Sequence, residues 1–126
     1  MRFPILAAVV LMGATPAAAD SRISDHMIDC SALYSLAAAW GNKADRAARL
    51  HAVAGSYALA AEAHAVADGI SEPRRHVATR FDRSWASLMQ RGPLYISSVQ
   101  FTAQMRACHV LGHEAGVSAR LWLLSD

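Results

Sequence analysis

Downstream of residue 24, apolar residues recur at intervals of three and four, and no stretch alternates apolar and polar with period two. That spacing lines one side of an α-helix, so the chain reads as all-helical with no strand. Breakers cut it into four segments. The first is predicted from Asp25 to Trp40, with Ser24 as N-cap, Gly41-Asn42 as the stop, and Met27, Cys30, Leu33, Tyr34, Ala37 and Trp40 facing inward. The second runs from Lys43 to Asp68 and stops at Gly69, with Ala47, Leu50, Ala54, Tyr57, Ala61 and His64 as its stripe. Alanine dominates this segment and favours helix, while Gly55 costs about 1 kcal/mol there and marks a candidate close crossing.

The third helix follows Ser71 as N-cap, tolerates Pro73 in its first turn and stops at Gly92-Pro93. Its inward residues are Val77, Phe81, Trp85, Leu88 and Met89. The fourth starts between Leu94 and Ser98 and runs to Ala115, ahead of Gly116, with Phe101, Met105, Cys108, Gly112 and Ala115 as its seam. Four helices with short connections predict an all-α, antiparallel up-down-up-down four-helix bundle. The apolar run Leu121-Trp122-Leu123-Leu124 beyond it cannot be buried by a single helix face, so it reads as a cap folded over the bundle or as a contact surface.

The N-terminus changes the setting. Arg2, a short apolar core over Ile5–Gly13 and the small residues Ala17-Ala18-Ala19 have the form of a secretory signal peptide, dividing the chain into a leader at 1–19 and a single helical domain at 20–126. The apolar core is too short to span a bilayer, so no transmembrane segment is expected after cleavage. The compartment is then periplasmic or extracellular, where disulfides persist. Cys30 and Cys108 are the only cysteines, and the predicted topology sets both at the same height on neighbouring antiparallel helices. A Cys30–Cys108 disulfide is therefore expected. The net charge of +2 is close to neutral, which gives no general case for nucleic acid.

The same topology gathers His26, His64, His76, His109 and His113 toward one end. His109 and His113 are spaced i, i+4, a spacing that lets two rings reach one ion, and His64 is a candidate third ligand for zinc or copper. Imidazoles so placed also allow a pH response. Recognisable catalytic constellations are missing. His113-Glu114 is half of the pattern His-Glu-x-x-His, and Gly116 would end the helix it requires. Met105 stands where the haem-attachment pattern Cys-x-x-Cys-His needs its first cysteine.

Arg74, Arg75, Arg80, Arg83 and Arg91 make the third helix locally basic. The expectation from sequence is a small exported, non-enzymatic protein without a cofactor. It would bind a protein or an acidic envelope component through Arg74, Arg75, Arg80 and Arg83, and through Leu121 and Trp122. The alternative is a metal-binding bundle using His109, His113 and His64.

Overall fold

The computed structural model describes residues 22–41 and 43–117. They form four α-helices: α1 (Ile23–Ala39), α2 (Ala44–Ala67), α3 (Pro73–Met89) and α4 (Val99–Ala115), with a short 3-10 helix at Pro93–Ser97 leading into α4. No strand occurs among the described residues. The expected leader, Asn42, and the apolar run containing Leu121 and Trp122 lie outside the described residues.

Cys30 and Cys108 are joined by a disulfide, with their Cα atoms 5.6 Å apart. The bond ties the middle of α1 to the middle of α4. Among the described helices none is long and apolar enough to cross a membrane.

The expected boundaries hold to within a few residues, but two caps do not. Arg22, not Ser24, is the N-cap of α1, and no side chain caps it. Ser24 instead sits inside the first turn, fully buried, and its hydroxyl has no partner among the described residues. Glu72, not Ser71, precedes α3, again without a side-chain cap. Only α4 is capped in the usual way: Ser98 Oγ accepts from the Phe101 amide at 3.1 Å. Gly116 closes that helix in the left-handed region, φ 84°, and the Val117 amide returns to the Gly112 carbonyl.

The arrangement departs from a square bundle. The first helix is central and packs directly on each of the other three. It therefore buries two stripes rather than one. The expected stripe of Met27, Cys30, Leu33 and Tyr34 is buried, and so is a second at i, i+4 spacing, Ser24, Ile28, Ala32 and Leu36. Each large apolar side chain so buried contributes about 1.5–3 kcal/mol. Against α1, α2 presents Leu50, Val53, Ala54, Tyr57, Ala61 and Ala65. The small alanines let the two backbones approach, and Ser31 Oγ donates across the contact to the Ala54 carbonyl at 2.8 Å. Ala37, Trp40, Ala47, Met105 and Ala115, all expected inside, are half-buried.

Helix α3 is different, with no fully buried residue. Val77, Phe81, Trp85 and Leu88 are half-buried against the core, but Met89, expected inside, is exposed. Nor does Gly55 mark a crossing. A Cβ placed there would meet nothing within 4 Å.

Candidate functional site

The contact of α1 with α3 is built from charge. Asp25 and Asp29 are spaced i, i+4 on α1, as are His76 and Arg80 on α3. Because the two helices run in the same direction, the pairs meet rung by rung. His76 Nε2 lies 2.8 Å from Asp25 Oδ1. Arg80 grips Asp29 with two bonds, Nε to Oδ1 at 3.2 Å and Nη2 to Oδ2 at 2.9 Å. A further Arg80 nitrogen lies 3.8 Å from Asp25 Oδ2. Ser84, one turn on, donates to Asp29 Oδ1 at 2.6 Å. Two-pronged arginine–carboxylate pairing fixes orientation as well as distance. The seam therefore sets the rotation of α3 about its own axis.

That rotation opens a groove of about 360 Å³ bounded by α1, α3, the 3-10 helix and α4. Its apolar floor is Leu33 and Leu88. Arg80 and Arg83 line it from α3 and Arg91 from the turn that follows, with the hydroxyls of Ser84 and Ser87 between them, and Tyr95 and Gln104 close the far side. The Tyr95 hydroxyl donates to Gln104 Oε1. The Arg91 guanidinium sits over the Tyr95 ring, 4.8 Å from its centre. Asp29 is the only carboxylate in the lining among the described residues, and Arg80 already holds it. Arg83 and Arg91 are left facing the groove beside the Ser87 hydroxyl, the Ser84 and Tyr95 protons being committed to Asp29 and Gln104, an arrangement suited to carboxylate or phosphate oxygens.

The residues singled out from sequence scatter. Arg80 is a seam residue rather than a contact on the outer face. Arg74 and Arg75 project into solvent, their side chains 89% and 76% exposed, with ion pairs to Glu62 at 3.4 Å and Glu72 at 3.8 Å. Such exposed pairs contribute little. Of the four arginines expected to bind a partner, only Arg83 belongs to the free side of the groove. Arg91, the last residue of the basic run, joins it there.

Of the five histidines expected at one end, His109 instead lines a groove with Ala37 and Arg46, from the last turn of α1 and the first turn of α2, and the others do not converge. Asp25 takes His76, and His64 Nε2 approaches the Ala115 carbonyl at 3.5 Å. His109 lines a separate groove, and His113 is exposed. Among the described residues no three His, Cys, Asp or Glu side chains gather so as to hold an ion. His109 and His113 stand one turn apart on one face of α4, and His64 does not join them in such a group.

Deep in the core, the Tyr57 ring stacks on Tyr34 with centroids 5.3 Å apart, and its hydroxyl donates to the Cys108 carbonyl. Burial, and secondarily the neighbouring Tyr34, push Tyr57 ionisation well above the ordinary tyrosine range. A phenol so held is a structural tie and not an acid or base.

Sequence reasoning missed the seam and the Arg83–Arg91 groove. The signal was there in two i, i+4 ladders of opposite charge at matching heights on parallel helices. Comparison with protein-family models, curated proteins and solved structures finds no match for this chain.

Proposed function

We propose that the chain is a small exported, non-enzymatic binding protein of the periplasm or cell exterior, and that its contact site is the α3 groove. The partner is a protein or envelope component that presents carboxylates or phosphates. One observation carries this reading. Asp29, the one carboxylate among the described lining residues, is neutralised within the chain, while Arg83 and Arg91 face the groove with no acidic counterpart among those residues. Leu121 and Trp122 supply a second, apolar contact in this reading.

The test is capture from a periplasmic extract by the immobilised, oxidised chain. Capture should be lost on Arg83→Glu with Arg91→Glu, weaken as salt rises, and survive Arg74→Glu with Arg75→Glu. Removal of residues 121–126 measures the tail's share. Capture that ignores the groove pair but fails with the outer pair would overturn the assignment of the groove.

A further inference from the structure

A second groove, of about 350 Å³, lies where α1, α2 and α4 meet the 3-10 helix. Its floor is apolar and aromatic, including Tyr34, Phe101 and Met105; the first two are buried and Met105 is half-buried. Its rim is cationic. Arg46 comes from the first turn of α2, and Arg106 and His109 come from α4 at i, i+3 spacing. No carboxylate lines it among the described residues. Asp45, the acidic residue beside Arg46, does not contribute to the wall.

Both arginines are exposed, and neither forms an ion pair with a described residue. A cation in the first turn of a helix is disfavoured by the helix dipole. Arg46 therefore carries a small cost that an anion at this rim would offset. Small-molecule sites typically combine an apolar, concave floor with a few convergent polar groups, at about 300–1,000 Å³.

We propose that this groove binds an amphiphilic anion, its apolar body on Tyr34, Phe101 and Met105 and its head group between Arg46 and Arg106. The site is separate from the α3 groove and does not depend on the reading given to that groove. Guanidinium pairs take either a carboxylate or a phosphate monoester head, and the ligand's charge is what selects it over a neutral compound of the same shape.

The experiment follows the Met105 methyl and Phe101 ring signals of the disulfide-bonded chain by NMR. Decanoate, decyl phosphate and uncharged decanamide are titrated below the concentrations at which they aggregate. Decanoate or decyl phosphate should shift these signals saturably, and the tighter of the two identifies the head group. Decanamide should bind at least about tenfold more weakly. Arg46→Ala with Arg106→Ala, both on exposed helix positions, should cost at least about tenfold in anion affinity. Arg83→Ala with Arg91→Ala should leave that affinity unchanged, so failure here is distinct from failure of the α3 groove. The proposal is overturned by absence of binding, by decanamide binding as tightly as the anions, by retention of affinity in the Arg46/Arg106 variant, or by shifts that avoid Met105 and Phe101.

Discussion

Helix α1 meets α2 and α3 in opposite ways. Its contact with α2 is apolar and closed, made by side chains such as Met27, Ile28, Leu36, Leu50, Val53 and Tyr57 that are almost wholly out of water. Its contact with α3 is charged and partly wet, with the side chains of Arg80 and Asp29 34% and 38% exposed. The first contact resembles a domain core and the second a protein–protein interface. Stability accordingly resides in α1, α2 and the disulfide-linked middle of α4, while α3 is held by orientation-specific ion pairs of modest strength. A helix held that way can turn its remaining arginines outward as a binding surface, because its own docking uses only part of its charge.

The largest effect expected on the closed side comes from the disulfide. It spans 78 residues, and loop-closure entropy puts its contribution at roughly 4 kcal/mol. Cys30→Ser with Cys108→Ser should lower the urea midpoint correspondingly, without removing the helical circular dichroism signal at low denaturant. Next comes Leu36→Ala, which empties a fully buried position in α1 and should cost about 2–5 kcal/mol in global unfolding.

Tyr57 gives the closed side a pH signature. The folded chain holds its phenolic proton more tightly than the unfolded chain does, so above pH of about 10 unfolding releases that proton. Stability is unaffected by this group below that pH and falls above it, by up to about 1.4 kcal/mol per unit. Tyr57→Phe should flatten the alkaline slope in denaturant titrations run across that range.

The open side should respond more gently and locally. Asp29→Ala removes the acceptor of Arg80 and Ser84 and should cost only about 1 kcal/mol globally. Hydrogen exchange should locate the loss in α3, with α1 and α2 protection nearly unchanged, and added salt should reproduce part of it in the parent chain. If instead Asp29→Ala destabilised the chain as much as Leu36→Ala, the contrast between the two contacts would be wrong.

Much of this was legible in the residues. Gly69, Gly92-Pro93 and Gly116 mark the breaks, and the three-and-four apolar spacing marks the helices between them. Cys30 and Cys108 required α1 and α4 to be neighbours, although their mid-helix positions do not by themselves set the direction of one helix against the other. The central place of α1 was less accessible. A single inward stripe fits any helix of a symmetric bundle, and only direct contact with three neighbours explains why Ile28, Ala32 and Leu36 are buried as well. The histidines misled for a related reason. Topology predicted a shared height along the bundle, which His109 does not keep, and gave no direction for any ring, and a metal needs both. Arg80 misled because its counter-charge lies on another helix, so local composition made it look available.

The central claim is that Arg83 of α3 and Arg91 of the turn after it face an acidic partner while Arg80 is committed within the chain. Residue-resolved NMR titration with polyglutamate tests it most directly. Shifts should be confined to Ser84, Ser87, Arg91, Tyr95 and Gln104, shrink with salt, and disappear in the Arg83→Glu, Arg91→Glu variant. Shifts centred on Arg74 and Arg75, or undiminished in that variant, would contradict the account.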